Sequence, residues 1–99
     1  MQESCVTQAV ITKADLTAVM KPLTELHVAP VIQGAALLGV IDEAAVTVTL
    51  HGTSKTVPSR LIVYDNFPWN ADFLLGLRAQ RRLRLAVKHY EDGSLLKFW

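Results

Sequence analysis

Trp69 to Leu83 reads W-N-A-D-F-L-L-G-L-R-A-Q-R-R-L, and the fold turns on how this stretch is read. Phe73 to Leu75 is too short for a helix core and predicts the end of a buried strand. Gly76 follows where a strand must turn at once into a helix, a place where a missing Cβ helps most. Leu77 and Leu83 mark an apolar stripe while Arg78, Arg81 and Arg82 can stay in water, which predicts a short helix at about 77–83. Strand, glycine hinge and helix make one packing unit, and the upstream chain supplies strands to pack on it.

Working outward, Asp65-Asn66-Phe67-Pro68 is a turn. Before it, Val46 to Leu50 (V-T-V-T-L) alternates with period two, as a half-buried strand does, and Val57 to Tyr64 is a second such run. The turn cluster His51 to Lys55 between them predicts a hairpin. Further upstream, Val40-Ile41 precedes Asp42-Glu43, Gly34 and Gly39 bracket a small apolar patch, and Val31-Ile32 after Pro30 is a strand candidate. Cys5 to Thr12 is rich in β-branched residues and predicts another strand. Ala14 to Lys21 predicts a helical turn or two with Thr12 as N-cap, stopped by Pro22. Met1 to Ser4 reads as a frayed end or the cut edge of a longer protein. Downstream, Arg84 to His89 alternates, Glu91-Asp92-Gly93 is a hairpin turn, and Ser94 to Trp99 is a last strand. The sum is a mainly β single domain over residues 1–99, with at least six short strands against one or two short helices.

Composition narrows the class. Ninety-nine residues lie near the low end of what one core stabilises, and a 51% hydrophobic content predicts apolar surface covered by another copy or a partner. A net charge of +1 argues against blanket attraction to nucleic acid or anionic lipid, and 19% charged residues argue against disorder. A single cysteine forms no internal disulfide and suits a reducing compartment. No apolar run reaches the roughly 18 residues that span a bilayer, and the N-terminus lacks a signal-peptide pattern. The expectation is an intracellular domain of cytoplasm or nucleus, with no membrane partner.

The chemistry-bearing residues are sparse. Asp15, Asp42, Asp65 and Asp72 could supply acid–base carboxylates, but none lies in a motif that forces special geometry, and turn or surface roles are favoured. His27, His51 and His89 lack metal-ligand spacing, so neither a metal nor a cofactor is expected. Cys5 reads as a small buried thiol because nothing in the sequence lowers its pKa. Gly34 and Gly39 match no phosphate-binding loop. Arg78, Arg81, Arg82 and Arg84, with Lys88 and His89, form the best candidate for nucleic acid, but Glu91 and Asp92 follow, and the favoured bland reading is a wet helix face plus one structural ion pair. Trp69 and Trp99 read as packing or interface anchors.

Phe73-Leu74-Leu75-Gly76 followed by L-R-A-Q-R-R-L resembles the C-terminal half of a retropepsin, the aspartic protease of retroviruses and long-terminal-repeat retrotransposons. Ser94 to Trp99 resembles the family's final strand, and V-I-Q-G-A-A-L-L-G-V-I resembles its flap, with Gly34 and Gly39 at the bend. Order and spacing carry the likeness over roughly residues 3–99, rather than any single motif. It implies a half-barrel with a flap hairpin and one short C-terminal helix. It also implies peptide contacts from Gly34, Ala35, Ala36, Leu37, Leu38 and Gly39, and a homodimer seated on Leu95, Leu96, Phe98 and Trp99.

The departure lies at the catalytic motif. Where the family has Asp-Thr/Ser-Gly, this chain has Glu3-Ser4-Cys5, and the strands that usually precede the motif are missing. Such chemistry needs two carboxylates, one per subunit, sharing a proton, and a 1 Å misplacement costs orders of magnitude in rate. The leading expectation is therefore a non-catalytic, retroelement-derived dimerisation or peptide-binding module. The alternatives are an aspartic-type peptidase with a Glu3 dyad, and a nucleic-acid accessory domain using Arg78 to Arg84.

Overall fold

A computed structural model describes residues 1–25, 27 and 29–98. Its strands are β1 (Ser4–Thr7), β2 (Leu37–Leu50), β3 (Thr53–Tyr64), β4 (Phe73–Leu74), β5 (Leu85–Tyr90) and β6 (Gly93–Phe98). Two helices, α1 (Gln8–Lys13) and α2 (Leu77–Leu83), join them, with a 3₁₀ turn at Thr17–Val19. The protein is mainly β, as the sequence predicts. One sheet has the order β2-β3-β1-β4, and β5 with β6 forms a separate two-stranded ribbon. Among the described residues no sheet closes into a barrel.

The central part of the large sheet is buried on both faces, so Val40-Ile41 and Leu61 to Tyr64 are buried at successive positions rather than at alternate ones. Val6, Ile41, Leu61 and Val63 pack on one side with Ile11 of α1. Cys5, Val40, Ile62 and Tyr64 pack on the other with Ile32 and Phe67. β1 lies parallel to β3, Ser4 opposite Leu61 and Thr7 opposite Tyr64, and antiparallel to β4, Cys5 opposite Leu74.

Beyond Val48 the β2–β3 pair leaves the core as an arm, and the molecule is elongated at 43 × 26 × 26 Å. The ladder slips between Ile41 and Ala44, where one extra residue on β2 makes a bulge. Hydroxyl pairs lock the outer arm, Thr47 with Thr56 and Thr49 with Ser54, each at 2.7 Å. Its turn is tighter than the predicted cluster. His51 and Gly52 both have positive φ, 52° and 81°, as a two-residue type I′ hairpin requires.

Four local expectations are corrected. Cys5 to Thr12 is not one strand: β1 stops at Thr7 and residues 8–13 are helical. Burial of Ile11 in the core outweighs the weak helix propensity of the β-branched residues. Ala14 to Lys21 keeps only the 3₁₀ turn, and Thr12 lies inside α1 rather than capping a later helix. Val31-Ile32 joins no strand; Val31 is fully exposed at 99%. Nor do Gly34 and Gly39 share a bend. Gly34, with φ 84°, makes a turn, whereas Gly39 lies within β2 opposite Val63. Gly39 is required by close approach: a Cβ there would sit 2.7 Å from the Lys21 carbonyl, beside the Lys21–Val40 bridge. The projecting hairpin of this fold is the β2–β3 arm.

Candidate functional site

The region that the sequence singles out is assembled by three consecutive backbone donors at the start of α2. Gly76 N–H donates to Ser4 Oγ at 3.0 Å, Leu77 N–H to the Met1 carbonyl at 3.0 Å, and Arg78 N–H to the Gln2 carbonyl at 3.1 Å. A helix start leaves such donors without intrahelical partners, and here the first residues of the chain satisfy them. Residues 1–4 are thus pinned rather than frayed, with Ser4 1% and Glu3 8% exposed. A Cβ on Gly76 would stand 2.4 Å from the Glu3 carbonyl carbon and 2.5 Å from the Gln2 oxygen, so only glycine fits.

The Glu3 carboxylate is nine-tenths buried and faces Arg78, Nη1 to Oε1 3.3 Å. A buried carboxylate without a counter-charge is costly, and Arg78 supplies the charge. The pair lines a cleft of about 280 Å³ between α2 and the base of the arm, with Asp42, Glu43, Arg60 and Arg82 among its walls. Arg82 reaches across it to donate to the Pro58 carbonyl at 2.9 Å. Arg78 and Arg82 of the predicted basic cluster are therefore engaged within the fold.

On the other side of β1, Cys5 is fully buried and its nearest partner is the Met1 sulfur at 3.7 Å. Burial pushes its thiol above the ordinary 9.0, so it is protonated at neutral pH and is no activated nucleophile. Tyr64 beside it is pushed up to about 12 by burial and by Cys5, and donates to the Pro30 carbonyl.

Asp42, read from the sequence as a turn residue, is a charge hub. The bulge at the base of the arm turns its carboxylate toward His27 Nε2 at 3.2 Å, Lys21 Nζ at 3.5 Å and Arg60 Nε at 3.6 Å. His27 Nδ1 accepts from the Thr24 N–H at 3.0 Å, so the ring proton lies on Nε2 and points at Asp42. Hydrogen bonding from His27, and then Lys21, holds the Asp42 carboxyl below its ordinary value. Sequence spacing hid this hub because its members come from three separate segments.

The remaining predicted residues are scattered. Gly34 to Ala36 form the approach to β2, and Leu37 to Gly39 begin it, with Leu37 and Leu38 exposed. Asp65 accepts from the Ala36 and Asn66 N–H groups, each at 2.7 Å, and Asp72 accepts from Thr7 Oγ1 at 3.0 Å. The Trp69 ring packs against Phe67 and Phe67 against Tyr64, tilted by 45° and 53°, with centroids 5.7 Å apart in each pair. Leu95, Leu96 and Phe98 lie on β6, and Trp99 lies outside the described residues. β6 pairs with β5, as the Glu91-Asp92-Gly93 turn predicts, and its Leu96 carbonyl accepts from His51 Nε2 at 3.1 Å.

Among the described residues no group of three His, Cys, Asp or Glu side chains could hold a metal ion, and no helix is long and apolar enough to cross a membrane. Comparison of the chain with protein-family models and with curated proteins finds no match.

Proposed function

We propose that this chain is a retropepsin-like module that associates with a second copy of itself and does not hydrolyse peptides. The observation that carries the reading is the Glu3–Arg78 pair. At the position where the resemblance places a catalytic aspartate, the carboxylate is buried and bound to an arginine at 3.3 Å. An acid that activates water must share a proton with a second carboxylate, and here the neighbour of the carboxylate is a guanidinium instead. The Glu3-Ser4-Cys5 strand threaded between β3 and β4, under a glycine that tolerates no Cβ, supports the likeness in architecture.

The ribbon of β5 and β6 supports association. A two-stranded ribbon is marginal in water, and this one has few contacts to the large sheet beyond β2, α2 and the Lys55–Phe98 stacking. One face carries the cross-strand pairs Leu85–Phe98 and Val87–Leu96, with Val87 54% and Leu96 42% exposed. A second copy covering this face, with Leu95 and Trp99 close in sequence, satisfies the surplus of apolar surface. Light scattering tests it: the intact chain has twice the monomer mass and Val87→Asp/Leu96→Asp has the monomer mass. A monomeric parent chain refutes the association. Cleavage of an unfolded protein substrate that disappears in Glu3→Gln refutes the non-catalytic reading and restores the peptidase.

A further inference from the structure

The two edges of the β2–β3 ladder are finished differently. Outside its pairing with β1, β3 carries Pro58, which has no N–H to offer, and the Pro58 carbonyl is taken by Arg82 at 2.9 Å. β2 forms the outer edge of the large sheet and carries neither lysine nor proline, two devices that blunt an edge. The register shows which of its groups face outward. The two-residue turn at His51-Gly52 makes Leu50–Thr53 a hydrogen-bonded pair. Antiparallel pairs alternate, so Val48–Lys55 and Val46–Val57 also exchange hydrogen bonds. Thr49–Ser54, Thr47–Thr56 and Ala45–Pro58 fall on the other kind of site, which agrees with the hydroxyl pairs at 2.7 Å and with the proline. The N–H and C=O groups of Ala45, Thr47 and Thr49 therefore point away from β3. Among the described residues nothing pairs with them; the bridge on this edge, Lys21 with Val40, lies before the bulge.

We propose that the outer edge of β2 captures an extended peptide of another protein, which adds as an antiparallel strand along Ala45 to Thr49. Backbone pairing supplies the affinity, and the flanks select the sequence. Peptide residues opposite Ala45, Thr47 and Thr49 share the solvent face with those exposed side chains and favour polar, β-branched types. Intervening residues lie beside Val46 and Val48 on the face that joins the core, and favour apolar types. At the C-terminal end of such a peptide the edge opens into a pocket of about 430 Å³ lined by Val19, Ile41 and, at the bulge, Asp42 and Glu43. Lys21 in its wall faces Asp42 at 3.5 Å, and His27 and Arg60 face the same carboxylate. Glu43 is exposed and makes no ion pair among the described residues. The matching segment thus alternates hydroxyl and apolar residues and ends on an apolar residue followed by a lysine or arginine. A second copy of β2 is a poorer match, since Leu37–Leu50 contains no cation to meet Glu43. The inference uses the β2 backbone and stands without association through the ribbon.

The probe is the blocked peptide acetyl-Thr-Val-Thr-Val-Thr-Leu-Lys-amide, titrated into the isotope-labelled full chain and followed by amide NMR. Saturable shifts are expected at Ala45, Thr47 and Thr49, whose amides also exchange more slowly with solvent in the complex. Thr47→Pro removes an outward donor without touching the ladder and is expected to weaken binding about tenfold. Glu43→Lys weakens it too, by more at low salt than at high salt. The same spectra report whether each variant is folded. If Thr47→Pro is not, the peptide N-methylated at its central threonine carries the test, because it loses the matching donor and leaves the protein unchanged. Val87→Asp/Leu96→Asp is expected to bind the peptide as the parent chain does. No saturable shift, shifts centred on Val87 and Leu96, or equal binding of the N-methylated peptide overturns the proposal. So does a lower mass of the peptide-free chain in Thr47→Pro, which assigns the edge to a second copy.

Discussion

At the scale of single residues, two carboxylates do opposite kinds of work. Glu3 is buried against Arg78, so removing the arginine strands a charge. Arg78→Ala is expected to lower the unfolding free energy by about 1–2 kcal/mol in urea titration. Buried pairs lose about 3–5 kcal/mol when broken, and the figure is reduced here because the Arg78 side chain is 59% exposed. Glu3→Gln, which removes the charge with the shape kept, costs less than Arg78→Ala. Asp65 is exposed, but its oxygen gathers the Ala36 and Asn66 N–H groups and its carboxyl is held below the ordinary 3.8 by those bonds, Ala36 first. Its native pKa is the lower one, so the stabilisation is present above the unfolded-chain value and disappears as pH falls through the native value. The urea midpoint is therefore expected to drop below about pH 4, and Asp65→Asn to show a shallower drop from a lower starting point.

At the scale of elements, Gly76 is the hinge on which strand, helix and chain start meet. Gly76→Ala drives a methyl into the Glu3 backbone at 2.4 Å and is expected to cost about 3 kcal/mol or more, with loss of the cooperative thermal transition as the sensitive readout. This glycine was legible in the sequence because a short apolar run, Phe73 to Leu75, meets a helical stripe with no room for a loop. The hairpin of Val46 to Leu50 with Val57 to Tyr64 was legible because alternation and a turn cluster agree, and the ribbon after Leu83 for the same reason. The helix at Gln8–Lys13 was not, since β-branching favours a strand and only tertiary burial of Ile11 reverses it. In the site, Glu3-Ser4-Cys5 stood out as a motif position. One ion pair was expected from the arginine cluster, but not which one, because a pair between residues as far apart in sequence as Glu3 and Arg78 leaves no local pattern. The Asp42 hub was hidden for the same reason.

At the scale of the whole molecule, shape and charge divide the labour. A dense centre, buried on both sheet faces, carries an arm of two strands and a ribbon of two more, and the proposed association uses the ribbon's Val87–Leu96 face. If that face is covered in the dimer, the Val87→Asp/Leu96→Asp monomer keeps the centre intact. Its amide exchange is expected to stay slow at Ile62 and Val63 and to become fast at Val87 and Leu96.

The parallel pairing of β1 with β3 also sets an order of assembly. Ser4 to Thr7 leave the ribosome long before Leu61 to Tyr64, and they need β4 on the other side as well. β1 is thus made well before both of its neighbours and waits until the slot between β3 and β4 exists. Closing so long a loop before any contact rewards it makes for slow folding, and stopped-flow refolding is expected on the millisecond-to-second scale rather than in microseconds. For a nascent chain this leaves Cys5 and Val6 exposed until Phe73 and Leu74 have emerged, a window in which a chaperone has something to hold.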